Sequence, residues 1–242
     1  MTSEIKENTT DLKQKYNIPQ NWVPFFSTVE DEINHAMRFV NIQQQTNIVF
    51  PLNNEIFNAF NFTQPNNVKV VLIGMDPYPS FIPNTTIPVA YGLSFSTRAG
   101  APIPRSLQNV FKEVSRTYPT ASFANGDLSQ WARQGVLMLN ACLTVNKGSS
   151  GSHGGIWNPF LKKVIEYICQ INPKVIFVLW GADAKKIGTA VIPSGKTMLV
   201  SGHPSPLNRR QDFIGNNHFV QINEILISQG HYPIDWSIYE SI

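Results

Sequence analysis

No apolar run approaches the roughly 18 residues that a membrane-spanning helix needs, so no such helix is expected. Cysteine is almost absent: Cys142 and Cys169 are the only two, and neither belongs to a CxxC pair. No metal-ligand spacing links them to the five histidines. Two reduced, buried thiols are therefore expected, with no metal site. The segment from Met1 to Ile18 is polar and charged and lacks the apolar centre of a signal peptide; it is expected to be a flexible N-terminal segment of an intracellular protein, in cytoplasm or nucleus. Charge of one sign is also scarce. A net charge of +3 neither identifies nor excludes a nucleic-acid binder, because a local basic face can sit on a nearly neutral chain. No internal repeat and no low-complexity tract interrupts the chain.

What is present fits one domain, residues 19–242, with 42% hydrophobic residues and a full core. Helical periodicity is expected over about 27–45, with Val29, Ile33, Met37, Phe39 and Val40 as the apolar stripe, and over about 53–61. Short β-branched runs predict strands near 68–74, 136–140, 174–180 and 197–201. Helices are expected between and after them, at about 106–118, 128–133, 159–171, 182–188 and 216–229. Strands alternating with helices imply crossover connections, hence an α/β fold with a central four-stranded parallel sheet flanked by helices.

Three of these strands end in chemistry. Val70-Val71-Leu72-Ile73-Gly74 leads into Met75-Asp76-Pro77-Tyr78-Pro79. Thr197-Met198-Leu199-Val200-Ser201-Gly202 leads into His203-Pro204-Ser205-Pro206-Leu207-Asn208. Val136-Leu137-Met138-Leu139 ends in Asn140. A carboxylate, an imidazole and an amide at strand ends point to a site at the carboxyl edge of an open sheet. Each residue alone says little: an Asp before Pro usually braces a turn, and a lone His is usually a packing residue.

Together with Gly92-Leu93-Ser94-Phe95-Ser96, Leu143-Thr144-Val145 and Leu179-Trp180-Gly181, these segments resemble the motifs of family-1 uracil-DNA glycosylases, in the family's order, from about Trp22 to Trp236. The resemblance implies hydrolysis of the bond between uracil and deoxyribose, without cofactor or metal, by a monomer acting on single- or double-stranded DNA. A uracil-glycosylase inhibitor protein is a candidate second partner. Asp76 would position water and stabilise the cationic sugar. His203 would donate a hydrogen bond to uracil O2 as a neutral imidazole. Asn140 would read the polar edge of the base, Phe95 would stack on it, and Tyr78 would fill the space taken by the thymine methyl. The backbone N–H groups of Met75 and Asp76 would complete the pocket. Pro104, Ser106, Gly181 and Ser205 would hold phosphates. Leu207 would wedge into the space left by the flipped base, and Arg209 and Arg210 would add charge toward DNA. His153 is placed at the border of the DNA groove.

The chain departs from the family at four points. Met75 replaces Gln, Pro79 replaces His, Arg105 replaces a proline, and Ala182 replaces a serine. The 79–91 segment is also longer than usual; Pro79, Pro83 and Pro88 stiffen it, and it is expected as a surface loop at the mouth of the site. The 79–91 segment, Met75 and Pro79 keep open a glycosylase-like DNA-binding or replication-accessory protein with weak or secondary catalysis. A related α/β enzyme for another base is the third reading, and Tyr78 argues against it.

Overall fold

The structure, a computed structural model, describes residues 14–240. In chain order its helices and strands are α1 Val23–Phe26, α2 Glu30–Gln43, β1 Val49–Phe50, α3 Asn58–Phe62, β2 Val70–Gly74, α4 Arg105–Thr117, α5 Ser129–Arg133, β3 Val136–Asn140, β4 Val145–Asn146, α6 Asn158–Ile171, β5 Ile176–Trp180, α7 Ala182–Val191, β6 Thr197–Ser201 and α8 His218–Ser228. Prolines set several boundaries. Helix α4 follows extended Pro104 and stops at Tyr118, the residue before Pro119, where φ is −128° and ψ 81°. Helix α6 carries Pro159 in its first turn, where no backbone donor is lost, and ends before Pro173.

Strands β2, β3, β5 and β6 form one parallel sheet in the order β3-β2-β5-β6. Gly74 pairs with Asn140 across β2 and β3, and Trp180 pairs with Ser201 across β5 and β6. The chain runs from β2 to β3 on one side, then returns to β5 on the other. The strand order thus reverses at β2, and a crevice opens at the carboxyl ends beside it. Strands β2 and β5 inside the sheet, and β3 at one edge, are buried on both faces, which explains their unbroken apolar sequences. Val71, Ile73, Leu137, Leu139, Phe177 and Leu179 face one core, shared with α2, α6 and α7. Val70, Leu72, Val136, Met138, Ile176 and Val178 face the other, shared with α4, α5 and α8. Strand β6, at the other edge, is different: Met198 and Val200 are exposed.

Several expectations change. The 27–45 helix shortens to α2, Glu30–Gln43, with buried Val29 just before it. Phe39 leaves the buried stripe and packs edge-on against the His153 ring at 5.1 Å. The 53–61 helix becomes a 3-10 turn, Asn53–Glu55, followed by α3. The ribbon of β1 and β4 is an addition that two-residue strands leave no pattern to predict. Residues 1–13 of the expected flexible segment lie outside the described residues. Residues 14–18 are not loose: Tyr16 and Ile18 are buried, and Tyr16 packs edge-on against Phe57 at 5.7 Å. Both cysteines are free; Cys142 is buried, but Cys169 is only half-buried. No helix among the described residues is long and apolar enough to cross a membrane.

Candidate active site

A pocket of about 320 Å³ opens at the carboxyl end of the sheet, lined by Met75, Asp76, Tyr78, Phe95, Asn140 and His203 together with Gly74, Ser106, Ser150 and Asp183. An adjoining groove of about 350 Å³ brings Ser106, His203, Ser205 and Leu207 together with Arg105. All the base-contacting and both catalytic residues expected from the sequence therefore meet in one place, and three of the expected DNA contacts border it.

Asn140 is 5% exposed, yet no group among the described residues hydrogen-bonds its amide. Its polar atoms open onto the pocket rather than being sealed in the core, so the amide is available to a group that enters. Gly74 makes room for it: a Cβ there would lie 2.5 Å from Asn140 Oδ1. The strand-end glycine is thus required by its close approach to the Asn140 amide.

Phe95 stands with φ at +61°, a left-handed conformation costly for an aromatic residue. Its neighbours enforce it. The Ser94 N–H donates to the Met138 carbonyl at 3.1 Å, and Ser96 Oγ accepts from the Leu128 N–H at 2.9 Å. The Phe95 carbonyl accepts from Tyr78 Oη at 3.1 Å. Burial pushes the Tyr78 phenol up to about 12, with the Ser106 hydroxyl pulling the other way, so it stays a neutral donor. The Phe95 ring packs edge-on against Trp180 at 5.1 Å and tilts beside His203 at 6.0 Å.

His203 has a defined tautomer. The Ser205 N–H donates to Nδ1 at 2.9 Å, so Nδ1 is an acceptor and the ring proton sits on Nε2. Burial lowers its pKa, against the opposing charge of Asp183. The imidazole is therefore a neutral Nε2–H donor at neutral pH. Gly181, with φ +101°, lies directly beneath it: a Cβ there would sit 3.0 Å from His203 Cβ.

The Asp76 carboxylate accepts from Ser150 Oγ at 2.8 and 3.1 Å and from the Gly151 N–H at 2.6 Å. Sequence reasoning missed both partners. The signal was the run of small residues Gly148-Ser149-Ser150-Gly151-Ser152, which lets a loop approach the sheet edge closely.

The loop after β6 is stapled by Asn208, whose Nδ2 donates to the His203 carbonyl at 3.1 Å and to Asp212 Oδ1 at 2.9 Å. Ser205 Oγ accepts from the Leu207 N–H at 3.2 Å. Leu207 is left 87% exposed, an unusual state for a leucine. Arg209 and Arg210 lie beyond it, exposed, lining neither cavity and without an ion pair among the described residues. Pro104 precedes Ser106 at the start of α4.

One expectation fails and one is refined. His153 does not border a groove: it is 1% exposed, with its nitrogens bonded to Thr144 Oγ1 and Asn146 Oδ1, both at 2.8 Å. The 79–91 segment is a surface loop that starts at the pocket, where Pro79 lines it, but its base is anchored. Phe81 bridges to Pro88 in antiparallel fashion and packs on Phe50 at 4.9 Å, and Val89, Ala90 and Tyr91 are buried. Ser80 and the tip at 83–87 are exposed. The Pro79 carbonyl accepts from the Gly148 N–H at 2.7 Å, so the proline ties the hairpin to the loop carrying Ser150.

Fold and pocket define a class: an α/β enzyme whose strand-end site is shaped for one flat ring with a polar edge, beside a carboxylate. Residues 60–227 match the family model of the uracil DNA glycosylase superfamily. A uracil-DNA glycosylase of Proteus mirabilis is 45% identical over 198 residues, 81% of this chain and 85% of that protein. One from Klebsiella pneumoniae is 42% identical over 205 residues, 84% of this chain and 87% of that protein. The crystal structure of mimivirus uracil-DNA glycosylase superposes with a TM-score of 0.81 at 30% identity, covering 91% of this chain and 88% of that one. A variant of the mimivirus protein is solved in complex with UGI. The chain belongs to the uracil-DNA glycosylase superfamily.

Proposed function

We propose that this pocket carries out the family's reaction through the residues assembled above. The reaction hydrolyses the N-glycosidic bond of uracil in DNA, releasing free uracil and leaving an abasic site for base excision repair. The bond breaks toward a cationic sugar and an anionic base. Asp76 supplies negative charge beside the sugar and orients the attacking water. His203, neutral and with its proton on Nε2, donates to uracil O2 as charge gathers there. The Asn140 amide donates to O4 and accepts from N3–H. Cytosine presents the opposite pattern and would leave both buried groups unpaired. Phe95 stacks on the base, and Tyr78 fills the space of a thymine methyl. The backbone N–H groups of Met75 and Asp76 close the pocket, so the loss of a glutamine at 75 removes no donor that the base needs.

A base must leave the duplex to reach this depth. Leu207 fills the vacated stack, while Pro104, Ser106, Gly181 and Ser205 hold the strand and Arg209 and Arg210 face phosphates. The protein acts as a monomer without cofactor, inside the cell where its DNA lies. Its likeness to the mimivirus protein solved with UGI supports a uracil-glycosylase inhibitor protein as a partner.

The observation that carries this reading is the pocket-facing amide of Asn140, not hydrogen-bonded by any described residue, in one pocket with Asp76 and a neutral His203. The test is uracil release from single-stranded and duplex oligonucleotides in EDTA, with and without inhibitor protein. Release that survives EDTA supports the reading. Tight DNA binding without release would return the chain to the accessory class.

A further inference from the structure

We propose that Ser150 is a positioning residue for the catalytic carboxylate, a role that rests on the reading of Asp76 given above. Asp76 follows β2 on a short segment ending at Pro77, and a carboxylate there is free to rotate unless something holds it. Ser150 and Gly151 hold it. Oδ2 accepts from Ser150 Oγ at 2.8 Å and from the Gly151 N–H at 2.6 Å. Oδ1 receives only the longer Ser150 contact, at 3.1 Å. One hydroxyl proton cannot serve both oxygens fully, so the shorter bond takes it. Oδ2 is thus saturated by two donors, and Oδ1 keeps the open lone pairs for the water.

The remaining ionisable groups near the carboxylate do not compete for this task. Asp183 of α7 and His203 share the pocket, Tyr78 stands on the same loop, and Cys142 lies behind it, its thiol pushed up to about 12 chiefly by burial. Among the described residues none of the four donates to Asp76.

The clamp is braced from outside the site. The Asn146 N–H donates to Ser152 Oγ at 2.9 Å, just past Gly151. The Gly148 N–H donates to the Pro79 carbonyl at 2.7 Å, just before Ser149. The loop is therefore pinned on both sides of Ser150, once to β4 and once to the residue that replaces histidine in the motif. Ser150 itself is exposed, so its hydroxyl has no packing duty.

The experiment measures single-turnover uracil release and DNA affinity for wild type, Ser150→Ala, Ser150→Thr, Asp76→Asn and the Ser150→Ala/Asp76→Asn double variant. Ser150→Ala should slow release roughly 10- to 100-fold, the range expected for a hydrogen bond to a charged group. DNA affinity and melting temperature should be unchanged, and Thr should restore most of the rate. In the Asp76→Asn background the Ala change should add little, because the two residues act as a unit. A wild-type rate for Ser150→Ala, or a loss that appears in affinity alone, overturns the proposal. So does a full additional loss on top of Asp76→Asn. If Asp76→Asn itself turns over like wild type, the assignment of Asp76 falls first, which separates that failure from one confined to Ser150.

Discussion

Asn140 shows how a single side chain acquires meaning from what surrounds it. Its amide lies between a strand-end glycine and the pocket it faces, with no hydrogen-bond partner among the described residues. Asn140→Asp should shift preference from uracil toward cytosine, because a carboxylate accepts from the cytosine amino group and cannot donate to uracil O4. Each mismatched contact should cost about 1–3 kcal/mol. Excision from matched uracil and cytosine oligonucleotides reads the change, and an unaltered preference at good activity would remove Asn140 from base recognition. Residue types at strand ends made Asp76, His203 and Asn140 legible in the sequence. The tautomer of His203 was not, since it depends on the Ser205 N–H aimed at Nδ1. Nor was the Ser150 contact, which joins positions separated by 74 residues.

At the scale of elements, the loop after β6 is held by partners at both ends. Asn109 Nδ2 donates to the Pro204 carbonyl at 2.7 Å near its start. Near its end, fully buried Glu113 of α4 accepts from the N–H groups of Gly215 and Asn217 at 2.7 and 2.9 Å. Burial alone would raise the Glu113 carboxyl, but these bonds and the Arg116 guanidinium outweigh it and hold its pKa low. Such a frame can press an exposed leucine into DNA. Leu207→Ala should therefore weaken excision from duplex more than from single strands, since only the duplex must be unstacked; equal losses would argue against a wedge. Arg209→Ala or Arg210→Ala should each lower the slope of log affinity against log salt by about 0.9, one phosphate's worth. An unchanged slope would leave that arginine as solvated surface. The long elements were readable because proline and period-matched apolar residues mark their limits, as at Pro104, Pro119 and Pro173. The hairpin at 79–91 was not, because its anchors, Phe50 and Gly148, lie far off in sequence.

For the molecule as a whole, the core shared with α4, α5 and α8 meets the site through Trp180, which packs on Phe95. Its indole N–H donates to His218 Nδ1 at 3.1 Å, so His218 must stay neutral to accept. Burial lowers its pKa to about 4, with the Glu113 charge working in the opposite sense. The unfolded chain, with a histidine near 6.5, then binds the proton more readily than the folded one. Stability is full above about pH 6.5 and falls as pH drops toward 4, by on the order of 2–3 kcal/mol from this residue. Urea midpoints at pH 7 and pH 4.5 test the sign, and His218→Gln, which keeps an acceptor, should remove that share of the loss. A fold equally stable at both values contradicts the account of His218. The four-stranded sheet was legible because its inner strands are apolar throughout, whereas β6 reads like them and is an exposed edge. The most direct test of the whole account is single-turnover release of uracil by wild type and Asp76→Asn, with DNA affinity measured alongside. The account predicts rapid release by wild type, and a fall of roughly 100-fold or more in the variant at nearly unchanged affinity. Turnover by Asp76→Asn at the wild-type rate would contradict it.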